Sequence, residues 1–494
     1  MTARSYRFGD ASRPGVILGL AGRQLVPLVG GVLWLAFTLQ IGMPLFGIAG
    51  PILGCAIAFG RWRGTPLAET AAPSVRLWSA RRTGRARWVR PSLLGAGPGY
   101  EAHLPVVLDG LELIEVPVSW IAGRAVGMAV VRDRHSGTVT AVFRVHGRGF
   151  PLASSVEQDG LVAGWGTALS PFAREKSPVS RVVWQEWAHP VGDGAHREFL
   201  TSLDALDSTV PAAADYRALL DQQTPATVAH EVIVAVTVDQ RKVRVRHATT
   251  SRLPAAIDTL TDELRLFAAR LETAGLGVDP PLSPAELSAA IRLRSDPGRA
   301  AQVTTLARSL AAATGRATIE WGPMTVEPAW GAVHVDGSWH RTYRVASWPP
   351  LPVGADWMSS LLVGADATRT VTVILEPVPM SRAARAADRE VMGREADADM
   401  KESKGFRVSA RDRKRLADVE ARERELSEGH AEFRFVGLVD VAAPNLEALD
   451  DASATVEQAA AQSLVDLRPL EARHDLGWVA CLPLGRNIAR RGGP

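Results

Sequence analysis

A long uncharged stretch near the start of the chain limits what this sequence can fold into. Between Arg23 and Arg61 lie 37 residues without a single Asp, Glu, Lys, Arg or His. A transmembrane helix needs about 20 apolar residues, and at least about 17, to cross roughly 30 Å of hydrocarbon. The stretch is too long for one crossing and sufficient for two short ones. We expect two transmembrane helices near 24–40 and 43–60, with the turn in the sequence QIGMP at 40–44.

The charges on either side of this stretch predict its orientation. Arg4, Arg7, Arg13 and Arg23 precede it, and a longer series of arginines begins at Arg61. Positive charge stays on the cytoplasmic side of a membrane, so both termini are expected in the cytoplasm of a multi-pass plasma-membrane protein. Two alternatives stay open. One is a cleavable signal peptide, although its apolar core usually has only about 7–15 residues. The other is a buried helical hairpin of a globular protein.

Small residues recur every four positions in the second predicted helix, at Gly50, Gly54 and Ala58. A stripe of small residues lets two helices approach each other closely in lipid. The helix that packs on this stripe is either the first helix of the same hairpin, which we favour, or a helix of another subunit. In both cases the three residues are predicted to be packing positions of the membrane anchor.

An arginine- and tryptophan-rich segment at 64–97 follows the cytoplasmic arm and transmembrane hairpin that are predicted for residues 1–63. Cationic side chains interleaved with aromatic ones suit an anionic membrane surface, and they also suit nucleic-acid phosphates. The hairpin immediately upstream favours the membrane surface. The residues expected at that surface are Arg61, Trp62, Arg63, Arg76, Trp78, Arg81, Arg82, Arg85, Arg87, Trp88 and Arg90.

Strand and helix patterns alternate through the body of the chain, at 98–380 and 429–494. Three patterns are clearest: a strand with Val139, Ala141, Phe143 and Val145 on one face, a strand with Val232, Val234, Val236 and Val238 on one face, and an amphipathic helix with Ile257, Leu260, Leu264, Phe267 or Ala268, and Leu271 on one stripe. A further helix begins at SPAEL, because Ser283 and Glu286 can form a capping box. Short links between such elements predict an α+β fold of ferredoxin-like α/β sandwich units behind the transmembrane hairpin.

A strongly charged segment at 381–428 interrupts this body. It has thirteen basic and twelve acidic residues and few large apolar ones. Opposite charges three or four positions apart, such as Glu420 and Arg424, support a solvated helix. The sequence predicts a charged helical hairpin that projects from the body. It is either a partner-binding arm or simply a solvated insertion.

No sequence motif for catalysis is found. None of the five lysines follows a glycine, so the chain has no Walker A motif for nucleotide phosphates. The GxGxxG, GxSxG and HExxH patterns do not occur either. His334 and His340 are the closest pair of histidines and are interpreted as ordinary surface or core residues. Cys55 and Cys481 fit no metal spacing. We expect no enzyme activity, no cofactor and no metal site.

Four short stretches carry a resemblance to a known family. They are YRFG at 6–9, WPPLPVGADWMSSLL at 348–362, VTVILEPVP at 371–379 and CLPLG at 481–485. Together with the order of the parts, they resemble the integral membrane proteins of actinobacterial conjugation-type gene clusters. The front hairpin resembles a two-helix inner-membrane subunit. It is fused to a body that is similar to the amino-terminal, motor-free half of the type IV secretion or conjugation ATPase. The resemblance covers essentially the whole chain and rests on architecture.

The resemblance implies a non-enzymatic, membrane-anchored structural component of a type IV secretion- or conjugation-like transport apparatus. The ATPase that it docks would be a separate chain. Implied partners are membrane lipids, this secretion ATPase, other membrane subunits of the apparatus and further copies of the chain, with direct nucleic-acid contact left open. Alternatives are a core membrane subunit of a type VII secretion system, a membrane-anchored enzyme with an unrecognised site, and a DNA-binding module that uses the arginine-rich segment.

Overall fold

A computed structural model gives the fold of the chain. It describes residues 6, 8, 22–62, 65–90, 104–120, 125–147, 149–190, 200, 211–223, 228–244, 251–299, 321–403, 410–427 and 430–488. The helices are α1 (Gly22–Gln40), α2 (Pro44–Phe59), α3 (Leu67–Arg82), α4 (Ser155–Leu169), α5 (Pro211–Gln223), α6 (Arg252–Thr273), α7 (Pro284–Ser295), α8 (Ser359–Leu362), α9 (Met380–Ser403), α10 (Ala410–Ser427), α11 (Leu446–Gln462) and α12 (His474–Ala480).

The strands are β1 (Arg61–Trp62), β2 (Thr65–Pro66), β3 (Trp88–Val89), β4 (Leu111–Ser119), β5 (Ala125–Asp133), β6 (Thr138–His146), β7 (Val179–Pro190), β8 (Val228–Asp239), β9 (Gly277–Pro281), β10 (Thr325–Pro328), β11 (Val333–Val335), β12 (Ser338–Ser347), β13 (Arg369–Val378), β14 (Glu432–Ala443) and β15 (Asp466–Pro469). β1 and β2 form a small two-stranded sheet directly after the α1–α2 hairpin. The remaining strands form one large sheet.

The predicted transmembrane hairpin is wrong. In the described part of the chain, no helix combines the length and the apolar character needed to cross a membrane. α2 has 16 residues, which at 1.5 Å per residue is about 24 Å, against roughly 30 Å of hydrocarbon. α1 has 19 residues, but polar residues at Arg23, Gln24, Thr38 and Gln40 leave a shorter apolar run. The multi-pass plasma-membrane localisation and the membrane character that followed from these spans are therefore wrong as well.

The fold is α+β, with a large antiparallel sheet. Thirteen strands join in the order β3-β10-β11-β12-β14-β13-β7-β8-β6-β5-β4, with β15 beside β12 and β9 beside β6. The seam between the two halves of the chain is the pairing of β13 with β7, where Arg369 lies opposite Ala188 and Leu375 opposite Val182. In place of the predicted ferredoxin-like sandwich units, the chain forms one large sheet, because ladder hydrogen bonds run through this seam.

The two faces of the sheet are covered differently. On one face, α4 and α6 cover a cluster that includes Phe143, Val234 and Leu264, and α8 and α11 cover a second cluster farther along. On the other face, one continuous cluster extends across both halves and includes Val142, Leu438 and the residues around α12. Alternation along each strand produces this arrangement, since successive side chains point to opposite faces.

Several sequence predictions for the body are confirmed. The inward valines of the two predicted strands and the apolar stripe of α6 belong to the same buried cluster. The capping box of α7 forms as expected: Ser283 Oγ accepts from the N–H of Glu286, and the Glu286 carboxylate accepts from the N–H of Ser283 at 2.8 Å. α6 is followed by Gly275 at φ +87°, a conformation that favours glycine.

Candidate functional site

The small residues of α2 face α1. A Cβ atom on Gly50 would lie 2.4 Å from Cδ1 of Trp34, and a Cβ atom on Gly54 would lie 2.5 Å from the carbonyl oxygen of Pro27. Ala58 is fully buried. These distances are too short for larger side chains, so the stripe is used for close packing inside the hairpin that α1 and α2 form.

The outer surface of this hairpin is apolar. Its large exposed side chains are Val26, Val29, Val32, Leu33, Trp34, Phe37, Leu39, Leu45, Phe46, Ile48, Ile52, Leu53 and Phe59. Leu45 reaches 84% exposure. A continuous apolar surface of this extent is unusual on a protein surface. Nothing among the described residues covers it.

The arginine- and tryptophan-rich segment forms α3 and then the edge strand β3. Of the residues predicted at a membrane surface, the exposed ones are Arg61, Arg76, Trp78, Arg81, Arg82, Arg85 and Arg87. The guanidinium of Arg82 lies 5.2 Å from the ring centre of Trp78, a cation–π contact one helical turn apart. Arg87 lies 3.6 Å from the Glu327 carboxylate. Trp62 pairs through its backbone with Thr65. Arg63 lies outside the described residues.

The last two residues of the predicted surface set belong to the body instead. Trp88 pairs with Val326 of β10 and packs against the continuous core. Arg90 is buried, and its Nη2 donates to the carbonyl oxygen of Gly322 at 3.0 Å. The segment therefore does more than follow the hairpin, since its end adds an edge strand to the sheet.

A buried histidine–aspartate pair joins β12, β14 and α7. Nδ1 of His340 lies 2.8 Å from Oδ2 of Asp440, and Nε2 lies 2.9 Å from the carbonyl oxygen of Ser295. The Thr342 hydroxyl donates to the other oxygen of Asp440 at 2.7 Å. Nδ1 of His474 accepts from the N–H of Thr342 at 3.1 Å. All these side chains are closed to solvent, so the cluster joins elements of the core.

Sequence reasoning treated His340 as an ordinary residue and missed this cluster. A signal was present. Ser338, His340 and Thr342 alternate on one face of a strand pattern, and Asp440 stands between Val439 and Val441 in another. Polar residues at alternate positions of buried strands indicate a polar network inside a sheet. Their partners become apparent only when β12 and β14 pair, with Thr342 opposite Asp440.

A second polar cluster lies where β7 ends and β8 begins. The buried Arg294 guanidinium donates to Glu231 at 2.8 Å and lies 4.6 Å from the ring centre of Trp187. Glu231 also accepts from Arg144 at 2.6 Å. Burial lowers the pKa of His189, which stacks on Trp187, to about 4, and the nearby Arg294 charge adds to this shift. This cluster attaches α7 to the sheet.

A cleft of about 240 Å³ lies between α7 and β10, lined by Arg292, Asp296, Arg299, Met324, Thr325 and Asp336. Its charges are paired with one another: Arg292 lies 3.5 Å from Asp336, and Arg299 lies 3.4 Å from Asp296. Among the described residues, no group of three His, Cys, Asp or Glu side chains could hold a metal ion. The cleft is thus a paired-charge crevice beside the sheet.

The charged segment forms two helices, α9 and α10, which we call the arm. The arm leaves the sheet between β13 and β14, two adjacent central strands. Its base is fixed by packing, because Ala383, Ala387 and Val419 are buried. Arg422 joins the helices to the body, donating to Glu390 at 3.1 Å and to Glu432 at 2.6 Å.

The first turn of α9 is also held from outside the arm. The N–H of Ser381 donates to Oε1 of Glu175 at 2.6 Å. A carboxylate at a helix N-terminus satisfies a free N–H and interacts favourably with the helix dipole. This hydrogen bond, followed by one from the Ser381 hydroxyl, lowers the pKa of Glu175. The arm is thus attached firmly at its base, while beyond it α9 presents exposed methionines, Met392 and Met400.

A scan against models of protein families matched none of them, and a search of curated proteins found no significant match.

Proposed function

We propose that this protein is a non-enzymatic structural subunit of a type IV secretion- or conjugation-like transport apparatus, and that it docks a separate ATPase. The observation that carries the proposal is the arm. It extends from the middle of the sheet, its base is held by buried alanines and by Arg422, and its outer part is left free of the described body. An insertion fixed in this way is suited to present a surface at a distance from the body.

The charge of the arm supports docking to a charged partner. Residues 381–428 carry thirteen basic and twelve acidic side chains, so the surface has both signs in close succession. Such surfaces guide association with a complementary partner and lose affinity as salt is added. The exposed methionines Met392 and Met400 supply adaptable apolar contact area between these charges.

The enzyme alternative has less support. The buried cluster around His340 holds the kind of side chains, histidine and aspartate, that acid–base catalysis uses. His340 and His474 are both almost completely buried, and their ring nitrogens at Nδ1 are engaged by Asp440 and by the Thr342 backbone. Groups used in this way join elements of a fold, and a substrate would have to open the core to reach them.

Site-specific crosslinking in cells of the native host tests the proposal. A photo-reactive amino acid replaces Met392 or Met400 on the arm, and Leu152, which is 93% exposed on the body, serves as the control position. We expect crosslinks from the arm, identified by mass spectrometry, to a chain that contains a P-loop ATPase sequence. The control position should not give this product.

A deletion extends this test. Replacing 381–428 with a Gly/Ser linker should leave the body folded, because β13 and β14 keep their pairing and their apolar faces. Binding of the purified ATPase should fall at least about tenfold, and binding to the unaltered chain should weaken as salt is raised. An unchanged affinity in the deletion variant, or an arm that crosslinks only to chains without a nucleotide motif, would disprove the docking role.

A further inference from the structure

Two residues of the N-terminal segment, Tyr6 and Phe8, contact residues of the body that are far from them in sequence. Tyr6 forms an antiparallel bridge with Val353: the N–H of Tyr6 donates to the Val353 carbonyl at 2.9 Å, and the N–H of Val353 donates back at 3.0 Å. The ring of Phe8 lies among Trp348, Trp357 and Phe435, with centroid distances of 5.4, 4.9 and 6.3 Å. We call these three body residues the aromatic cage.

The aromatic cage is held together by contacts of its own. Trp348 lies edge to face with Trp357 at 5.9 Å and with Phe435 at 5.1 Å. The six-membered ring of Trp348 also rests on the backbone of β14, since a Cβ atom on Gly437 would lie 2.8 Å from its Cζ2. Gly437 therefore sets the position of Trp348 independently of Phe8. A site formed in this way is preorganised, which reduces the cost of binding.

A polar contact completes the site. The Tyr6 hydroxyl donates to Oδ1 of Asp159 on α4 at 2.9 Å. Residues two apart on an extended strand point to the same side, which agrees with Tyr6 and Phe8 both reaching body residues. The site therefore combines three modes of recognition: a backbone pairing edge at Val353, an aromatic cage, and a carboxylate acceptor. Other proteins bind extended peptides in the same way: main-chain hydrogen bonds to a strand edge give affinity, and pockets for alternate side chains give specificity.

We propose that the aromatic cage, together with Val353 and Asp159, is a binding site for an extended peptide with aromatic side chains two residues apart. The chain's own Tyr6 and Phe8 occupy this site in cis as a releasable latch. The latch is tied to α1 by the 13 residues between Phe8 and Gly22. Occupation of the site therefore links the apolar hairpin to the body, and a competing aromatic peptide would release it.

The test uses the full chain with a protease cleavage site introduced between residues 12 and 18. After cleavage, a fluorescent peptide of residues 1–12 is added, and exchange is followed by anisotropy. We expect saturable binding at one site per chain. A Phe8→Ala peptide should bind at least about tenfold more weakly, because it loses a buried ring and its aromatic contacts. A Tyr6→Phe peptide, which lacks only the hydroxyl, should bind with an affinity that is lower by roughly two- to tenfold.

Variants of the body supply the matched controls. Phe435→Ala removes one wall of the aromatic cage at a position that is 37% exposed, and Gly437→Ala displaces Trp348. Both should weaken binding of the peptide at least about fivefold, whereas Leu152→Ala, at a residue that is 93% exposed and makes none of these contacts, should have no effect. If a variant is less stable, the rate at which the cleaved segment leaves the intact complex gives the same comparison. Equal binding of the Phe8→Ala peptide, or absence of binding after cleavage, would overturn the proposal.

Discussion

Both ring nitrogens of His340 face acceptors, the Asp440 carboxylate and the Ser295 carbonyl oxygen. Each nitrogen can satisfy its acceptor only by carrying a proton. Burial alone would lower the pKa of His340, but the Asp440 charge, the two hydrogen bonds and the nearby Asp296 outweigh it, so the pKa is raised. The two acceptors and the raised pKa both favour an imidazolium–carboxylate pair inside the core.

This pair predicts a loss of stability at alkaline pH. Because the folded-state pKa of His340 lies above the unfolded value of about 6.5, its contribution is complete below about pH 6.5. The contribution is lost as the pH rises through the folded-state pKa. Asp440→Asn should lower the free energy of unfolding by about 3–5 kcal/mol at pH 6, and by less at pH 9. Urea denaturation at both pH values measures the difference.

The control for this variant is Asp450→Asn. Asp450 is exposed and pairs with Arg341 at 2.7 Å, so its replacement should cost less than about 1 kcal/mol. If Asp440→Asn costs the same at pH 6 and pH 9, His340 is not charged in the folded chain.

His474 predicts the opposite effect in acid. Burial, with the charges of Arg341 and Arg473, lowers the pKa of His474 to about 3. The unfolded chain binds this proton at about pH 6.5 and the folded chain only near pH 3, so stability falls as the pH decreases through that window. One such proton changes the free energy of unfolding by up to about 1.4 kcal/mol per pH unit.

His474→Asn removes this titration and retains an acceptor for the Thr342 N–H. We expect the variant to be less stable at pH 7 and to show a shallower decrease between pH 6.5 and pH 4.5 than the unaltered chain. Parallel pH profiles would show that another group accounts for the acid sensitivity.

At the residue level, the sequence predicted which side chains are apolar and buried, and it found the capping box at Ser283. It did not predict the polar networks, because their members come from strands and helices that are far apart in sequence: His340 and Asp440 are separated by 100 positions, and Thr342 and His474 by 132. Arg90 shows the same limit. Arg90 comes directly after β3 and was interpreted as a surface charge, and its carbonyl partner at Gly322 was not visible in the local pattern.

At the scale of secondary-structure elements, the capping box at the start of α7 gives the clearest stability prediction. Its far end carries Arg294 and Ser295, which bond to Glu231 and His340 of the sheet. Ser283→Ala removes the side-chain acceptor of its capping box and should cost about 1 kcal/mol of stability. Thermal and urea unfolding measure this loss.

Ser79→Ala on α3 is the matched control. The Ser79 hydroxyl is exposed and donates to the carbonyl of Arg76 at 2.9 Å, so its removal should change stability by less than about 0.5 kcal/mol. An equal effect of the two substitutions would mean that the start of α7 contributes nothing specific.

The sequence predicted elements with strong periodicity well, and the α1–α2 hairpin shows where such reasoning fails. An uncharged run of 37 residues satisfies a hydropathy criterion as one unit. The folded chain divides it at Gly42 and gives helices of 19 and 16 residues. Counting the uncharged residues of the whole run does not show how long each helix is, because the turn and the polar ends of the helices use part of the run.

At the scale of the whole molecule, the buried thiol of Cys481 can be used as a probe for unfolding of the sheet. Cys481 belongs to the apolar cluster that extends across both halves, and burial raises its pKa. Cys55 is exposed. Since a buried, protonated thiol is unreactive, alkylation of Cys481 requires opening of this cluster.

In a Cys55→Ser variant, we expect Cys481 to be alkylated only over the urea range in which circular dichroism shows global unfolding. Both halves share the sheet and this cluster, so they should unfold together. Alkylation at urea concentrations that leave the circular dichroism signal unchanged would show that the C-terminal residues open separately.

The order of strands could not be derived from the sequence. Hydrophobic alternation shows which face of a strand is buried, but the pairing of β7 with β13 joins residues nearly two hundred positions apart. Helices and polar networks on both faces decide that pairing together. For this reason the sequence indicated ferredoxin-like units where the chain forms one large sheet.

The placement of the arm has a mechanical consequence. α9 has 24 residues, a length of about 36 Å at 1.5 Å per residue. Its pivot is the short interface of Ala383, Ala387 and Arg422 beside two central strands. About 16 residues of α9, or roughly 24 Å, extend beyond Ala387, so a tilt of about 10° at this pivot would displace the far end by roughly 4 Å. The arm thus has the geometry of a lever, in which a small repacking at the base would produce a larger displacement at the far end of α9.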